Sequence, residues 1–397
     1  MNLTPKSEID FRTSQLQKQL QAADLDAAVF AQNADLFYLT GTIQSGALYV
    51  PAEGQPVYFV RKDVARARRE SPLERIEGFS LLRDLPAGLA KFNLELPKRV
   101  GFEFDVLPVA VFERYRKIFD PAEYRDISPV IKRLRMIKSN YEVELMKVAA
   151  IQADCVYRRA REVLRAGMTD IELAAALEHT ARLDGHPGII RMRSFNGEML
   201  FAHVFSGPDS AVPAYLDTPL GGVGPHPSFG QGASWRRIAE HEPVIIDTGS
   251  SASGYLVDQT RVLSIGELPE LLTRGYHDML CVQDLMKKTV APGVVWADLY
   301  ETCRALAEEL GHSDHFMGYK GSQAAFIGHG LGVEIDEFPI IAKSFSKDVF
   351  EVGMTFAFEP KVVFPNLGAV GIENTFVLQP HGLEQLTFTD EALGIVN

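Results

Sequence analysis

Apolar positions recur at helical spacing early in the chain. Leu16, Leu20 and Leu25 fall near one face, and the pattern predicts an amphipathic helix over 12–24. Short apolar runs follow, AAVF at 27–30, ALYV at 47–50 and PVYFV at 56–60, separated by the Gly and Pro that punctuate strands. A helical pattern at 63–70 and a strand pattern at 98–104 continue the alternation. Strands alternating with helices predict a small α/β domain ending near residue 130. From Arg125 to Lys138 the texture changes to a run of cations. Ser139 then stands three residues before Glu142, the spacing of a capping box, and opens a helical pattern to about Arg165. A boundary at Ser139 divides the chain into 1–138 and 139–397.

The second part carries an internal echo. Residues 161–185 and 287–311 each show a glycine (Gly167, Gly293), an acid–Leu pair five positions on, and a second glycine 18 positions after the first (Gly185, Gly311). Each reads as a helix, a glycine turn and a second helix closed by a glycine. After each comes β-rich sequence: PVIIDTG and YLVDQTRVLSI, then MTFAFEP and AVGIENTFVL. The larger domain is thus expected to be two αβ halves, 126 residues apart and related by duplication.

Composition adds exclusions. The 397 residues are 46% hydrophobic and 23% charged, which is globular and rules out a disordered or collagen-like chain. Forty Lys and Arg against 52 Asp and Glu give a formal charge of -12, so no nucleic-acid or anionic-membrane partner is expected. Three scattered cysteines (Cys155, Cys281, Cys303) form no disulfide framework, and neither a signal peptide nor a membrane-spanning run is legible. A soluble cytoplasmic protein is expected. The acidic surplus reads either as a solvated surface or as carboxylates gathered to hold cations.

Asp247 ends the apolar run Val244–Ile246, and Asp258 lies 11 residues on, past a Gly-Ser turn, in another strand-like run. A hairpin would bring the two carboxylates together, and such a pair takes up a proton or a cation. Standing alone, the pair also reads as an N-cap and a turn aspartate. His329 lies between two glycines, Glu359 ends an apolar run before a proline, and Glu373 sits in a further strand pattern. Four acids and one His at such positions are too many accidental buried charges. Of the basic residues only Lys361 and Arg261 stand beside them, so the neutralising cations are expected from outside. An oxygen-rich set with one nitrogen suits a pair of divalent ions: Mn, Co, Fe or Zn, with manganese first among them.

The order DxG, 11 residues, DxTR, then GHGxG, EP and GIEN resembles the pita-bread metallopeptidases of family M24, the methionine aminopeptidases, prolidases and Xaa-Pro aminopeptidases. NADLFYLTGT (33–42) and RLRMIKSNYEVELMKVAA (133–150) resemble the creatinase/prolidase N-terminal domain and the opening of the catalytic domain. The resemblance implies an α/β N-terminal domain followed by an α+β pita-bread domain with internal pseudo-twofold duplication. It implies that Asp258 and Glu373 bridge two metals, that Asp247 chelates one and that His329 with Glu359 completes the other. A metal-bound hydroxide would attack the scissile carbonyl, Glu359 would shuttle the proton, and Arg261 would support the carboxylates. It also implies a homodimer in which residues 36–42 reach a partner's active site.

Three positions depart from that pattern. Ala214 stands where the family has a histidine after a proline, and Asp336 stands where it has the histidine of an HExP motif, here Asp336-Glu337-Phe338-Pro339. Basic residues that grip a dipeptide's carboxylate are missing at Gly371 and Ile340. Asp336 and Phe338 therefore enter as candidate catalytic and substrate-binding residues. In the Gly- and Pro-rich stretch 215–235, Tyr215, His226 and Trp235 are candidate replacement contacts or parts of an ordered surface loop. Two activities stay open: a hydrolase of the Xaa-Pro aminopeptidase or dipeptidase type with an altered substrate shell, or a metal-dependent lyase or amidohydrolase acting on a small non-peptide metabolite. A binding protein on a retired enzyme fold is disfavoured, because such a site has no reason to keep four buried acids.

Overall fold

The computed structural model describes residues 3–396. It divides into two compact units, Met1–Arg135 with Arg193–Gly197, and Met136–Met192 with Glu198–Asn397.

The first unit is built on a six-stranded mixed sheet. Its strands are β1 (Ala27–Phe30), β2 (Gly46–Pro51), β3 (Val57–Val60), β4 (Ile76–Gly78), β5 (Arg99–Phe102) and β6 (Glu123–Asp126), in the order β4-β3-β2-β1-β5-β6. Every residue of β1 and β3 is buried, which explains why these strands read as unbroken apolar runs and not as alternation. Helix α1 (Lys6–Ala22) begins earlier than its periodicity suggests and ends before Leu25. Its polar first turns carry a single inward apolar residue, Ile9, ahead of Leu16 and Leu20. Helices α2 (Asn33–Thr40), α3 (Val64–Glu70), α4 (Leu85–Ala90), α5 (Val109–Phe119) and α6 (Ser128–Met136) complete the alternation. Asp35 on α2 is fully buried and is held by Arg135 at 2.8 Å and by Arg193. Arg193 also pairs with Glu103 at 3.0 Å and with Asp105 at 2.8 Å.

The second unit repeats one plan twice. Helices α7 (Asn140–Val163) and α8 (Asp170–Leu183) pack Val156, Ala160, Leu173 and Leu177 against Val204, Val244, Ile246 and Leu263. Those four belong to β7 (Ala202–Ser206), β8 (Val244–Ala252) and β9 (Tyr255–Ile265), which with the short β17 (Gly394–Val396) form the sheet β17-β9-β8-β7. Helices α9 (Glu270–Thr289) and α10 (Trp296–Glu309) supply Tyr276, Met279, Val282, Trp296 and Leu299 to a second cluster with Ile341, Phe356, Phe358 and Phe376. The second sheet contains β10 (Phe326–Leu331), β11 (Ile335–Ala342), β12 (Thr355–Phe358), β15 (Asn374–Gln379) and β16 (Gly382–Gln385), in the order β11-β10-β12-β15-β16. A separate two-stranded ladder pairs β13 (Lys361–Phe364) with β14 (Gly368–Gly371).

The echo in the sequence is an echo in backbone geometry. Gly167 and Gly293 have φ of 84° and 88°, and Gly185 and Gly311 both have 90°. A Cβ at any of the four would meet nothing within 4 Å, so the left-handed backbone, and not close packing, requires glycine there. The capping box forms as its spacing predicts: Ser139 Oγ accepts from Glu142 N–H at 3.3 Å, and the Glu142 carboxylate accepts from Ser139 N–H at 2.9 Å. No helix among the described residues is long and apolar enough to cross a membrane. All three cysteines are free.

Candidate metal centre

The hairpin of β8 and β9 sets the first two carboxylates. Asp247 lies opposite Thr260 and Asp258 opposite Gly249, so the acids are diagonal neighbours on one face of the sheet. His329 comes from β10, where it faces Ala357 of β12. Its flanking glycines answer to the neighbouring strands. A Cβ at Gly328 would lie 2.5 Å from the Ala357 oxygen, and one at Gly330 would lie 2.0 Å from the Phe338 oxygen. Glu359 extends β12 by one step, its N–H donating to Ile327 O at 3.0 Å, and Pro360, with no N–H, ends the run. Glu373 just precedes β15. Its N–H reaches Thr260 O at 3.3 Å, and Thr260 Oγ1 donates to Glu373 Oε2 at 2.7 Å, fastening it to β9.

These elements converge on one buried cluster. His329 Nε2 is 3.7 Å from Glu359 Oε1, 3.7 Å from Glu373 Oε1 and 3.9 Å from Asp258 Oδ2. Such separations are too long for hydrogen bonds. They match ligand atoms that share one ion, since two bonds of about 2.1 Å place their donors roughly 3.0 to 4.2 Å apart. Asp258, His329 and Glu373 offer atoms all within 4.8 Å of one another. Glu373 Oε1 is buried with no hydrogen-bond partner among the described residues, as suits an oxygen that serves a cation. The residues present fit a divalent ion.

One cation is already inside. Lys361, the first residue of β13, is 1% exposed, and its Nζ lies 2.6 Å from Glu359 Oε2, 2.8 Å from Glu373 Oε2 and 3.9 Å from Asp247 Oδ2. This corrects the expectation that neutralising charge must all come from outside. Proximity in sequence could have signalled it, but only the fold aims the side chain inward.

The electrostatics follow from burial. Loss of solvent pushes Asp247 and Glu359 up to about 7, against the pull of Lys361, and Asp258 well above its ordinary range. Burial opposes the charge of Glu373 too, yet Lys361 and His329 hold it down at about 2. Burial would neutralise His329, but Asp336 and the surrounding carboxylates raise it well above its usual range. Four acids around one ammonium must take up protons or a further cation.

The remaining candidates make other contacts. Asp336 stands beside His329, its Oδ1 3.4 Å from Nδ1, while the hydrogen-bond partner of Nδ1 is the Gly330 carbonyl at 3.2 Å. Arg261 makes no ion pair with the four acids among the described residues. It donates to the backbone oxygens of Glu373, Thr260, Thr389 and Asp390 and to Asn374 Oδ1, clamping β9 to the strand entry that carries Glu373. The ring of Phe338 packs on Trp296 and Phe345 as part of the core. Tyr215 and Trp235 are 56% and 67% exposed, unlike the buried ligand set. His226 is exposed as well, and its Nδ1 meets the Ser228 hydroxyl at 2.9 Å.

Sequence reasoning missed His203. It lies on β7 directly opposite Asp247, on the same face. Its Nε2 is buried with no hydrogen-bond partner, and burial, followed by Lys361, lowers its pKa to about 4, leaving a neutral imidazole beside the acids. The signal was a lone histidine in an apolar run, AHVF, that ends at the Ser-Gly before residue 208.

Comparison with known proteins agrees with this construction. Residues 12–137 match the Creatinase/Prolidase N-terminal domain and residues 144–380 match Metallopeptidase family M24. The chain is similar to the Xaa-Pro dipeptidase of Pyrococcus furiosus, 27% identical over 386 residues, with 96% of this chain and 99% of that one covered. Among solved structures it resembles the Xaa-Pro dipeptidase from Bacillus anthracis, with a TM-score of 0.82 at 23% identity, covering 98% of this chain and 100% of that one. It also resembles the prolidase from Pyrococcus furiosus, with a TM-score of 0.77 at 26% identity, covering 94% and 99%. The ordered ligand series, the duplicated αβ halves and a match that spans more than half the residues have one source: the chain belongs to metallopeptidase family M24 and carries a creatinase/prolidase N-terminal domain.

Proposed function

We propose that the chain is a divalent-metal-dependent hydrolase of the Xaa-Pro peptidase type, aminopeptidase or dipeptidase, acting on small peptides. The observation that carries this is the buried, unpartnered Glu373 Oε1 facing His329 Nε2 across a gap of ligand size. A divalent ion bound there supplies Lewis acidity toward a carbonyl and acidifies a water. Asp258, His329, Glu359 and Glu373 would hold it, with manganese the first choice among Mn, Co, Fe and Zn. The Gly330 carbonyl, 3.2 Å from His329 Nδ1, together with Asp336 at 3.4 Å, fixes the imidazole so that Nε2 faces the ion. Glu359 would take the proton of the attacking water and pass it to the leaving nitrogen. Ala214 and Asp336 leave the substrate without two expected imidazoles, and His203 Nε2 is the donor placed to serve the scissile carbonyl in their stead.

The same reading takes the protein as a cytoplasmic homodimer. A lyase or amidohydrolase acting on a small metabolite would draw on the altered positions alone. Full-length likeness to proteins named Xaa-Pro dipeptidases favours the peptidase. The test is a panel of Xaa-Pro dipeptides and longer Xaa-Pro peptides with Mn-loaded protein. Metal-dependent release of proline, or of the first residue, supports the reading. Turnover of none of them by a metal-replete, folded protein overturns it.

A further inference from the structure

The four carboxylates present two cation positions, and Lys361 stands in one of them. Glu359 and Glu373 each divide their oxygens the same way. Both Oε2 atoms lie on Lys361 Nζ, at 2.6 and 2.8 Å, while both Oε1 atoms lie 3.7 Å from His329 Nε2. Asp258 Oδ2 joins the His329 side, and Asp247 Oδ2, 3.9 Å from Nζ, lies on the lysine side. The two glutamates therefore bridge an ammonium and an ion pocket, the arrangement by which carboxylates bridge a pair of metals.

The ammonium is not free to withdraw. Lys361 begins β13, where it is paired with Gly371, and its carbonyl accepts from Met317 N–H at 2.8 Å. Its side chain runs over Gly371, where a Cβ would lie 2.6 Å from Lys361 Cγ. Leaving would break ion pairs to buried carboxylates and carry the charge through a protein interior. A divalent ion on Glu373 Oε2 would sit at a bond length of about 2.1 Å from the same oxygen that already holds the ammonium, so like charges would share one acceptor.

We propose that Lys361 is a built-in cation occupying one of the two positions, so that the centre holds a single divalent ion on Asp258, His329 and Glu373, with Glu359 Oε1 facing it beside His329. Asp247 then serves the lysine and not a metal. The proposal rests on the metal-dependent reading only for there being an ion at all.

Metal-stripped full-length protein is titrated with manganese chloride and read by native mass spectrometry and by electron paramagnetic resonance. One ion per chain with the hyperfine pattern of an isolated Mn²⁺ is expected. Lys361→Met should admit a second ion and produce the multi-line pattern of an exchange-coupled pair. Two coupled ions in the unaltered protein overturn the proposal, and so does a folded Lys361→Met variant that still binds one. Should that variant fail to fold, Asp247→Asn decides. Retention of the ion at unaltered affinity supports the assignment, and its loss overturns it. No bound ion in the unaltered protein overturns the proposal together with the metal-dependent reading. One bound ion without Xaa-Pro cleavage removes only the substrate reading.

Discussion

Lys361 and Gly371 face each other across the β13–β14 ladder, and the lysine side chain fills the space that any side chain at 371 would need. A Cβ at Gly371 would also lie 2.5 Å from Pro360 O and 2.7 Å from Lys361 Cα, both backbone atoms that cannot swing aside. Gly371→Ala is therefore expected to destabilise by about 1–3 kcal/mol, the usual cost of overpacking. Urea unfolding of the two proteins checks this. An unchanged midpoint would mean that the ladder relaxes without penalty.

Metal binding should stabilise the fold, because the ligands come from β9, from β10 and from the segments flanking β12 and β15, and meet only when folded. At an ion concentration near 100 times Kd the gain is about 2.7 kcal/mol. Chelation should lower Tm and manganese should restore it, as followed by circular dichroism.

Asp336 Oδ1 lies 3.4 Å from His329 Nδ1, and if it positions that imidazole its removal is felt at the ion. Removing such a partner commonly costs roughly 10–100-fold in metal affinity. Asp336→Ala should weaken binding by that order in a competition titration with a chromogenic chelator, and Asp336→Asn by less, since an amide oxygen still accepts from Nδ1–H. Equal affinity in all three proteins would remove the positioning role.

His203 Nε2 makes no bond in the fold, so His203→Leu should leave Tm and metal content in place. If it donates to the developing oxyanion, kcat/KM on a cleaved Xaa-Pro peptide should fall by about 10²–10³-fold. A variant as active as the parent would assign the donor elsewhere.

In the N-terminal unit, Asp35 is held at about 2, below its ordinary 3.8, by Arg135 and Arg193, although burial opposes its charge. A depressed folded-state pKa contributes stability that is present in full above the unfolded value and is lost as pH falls from about 3.8 toward about 2. Asp35→Asn should cost about 1–3 kcal/mol near neutrality, because it removes a buried carboxylate that Arg135 and Arg193 both bind. The gap between variant and parent should narrow as the pH is lowered through that window, as read by denaturant titration at several pH values.

Much of the architecture was legible because it is written in local chemistry. The strands at 27–30 and 57–60 lie where their apolar runs do, since a strand buried on both faces needs nothing else. Helix α7 starts at its capping box because Ser139 and Glu142 satisfy one another's backbone within a single turn. Helix α1 was placed less well, as its first turns bury too little to leave a period. At the site, residue type and order identified the acids and the imidazole. What Asp336 and Arg261 touch was not legible, because a side chain's contacts depend on which atom it reaches, and no spacing records that.

By itself the sequence determined the alternating first unit, the duplicated helix pairs with their left-handed glycines, and the acids and histidine gathered for a cation. Each depends on residue type, on period, or on a backbone conformation that one residue prefers. Tertiary structure alone decided that His203 faces Asp247, that Asp336 stands beside His329, and that Lys361 turns inward to lie between Glu359 and Glu373. Those relationships join strands far apart in the chain or depend on the direction of one long side chain. Coulomb and desolvation energies act on distances in space, and the linear order of residues does not contain them.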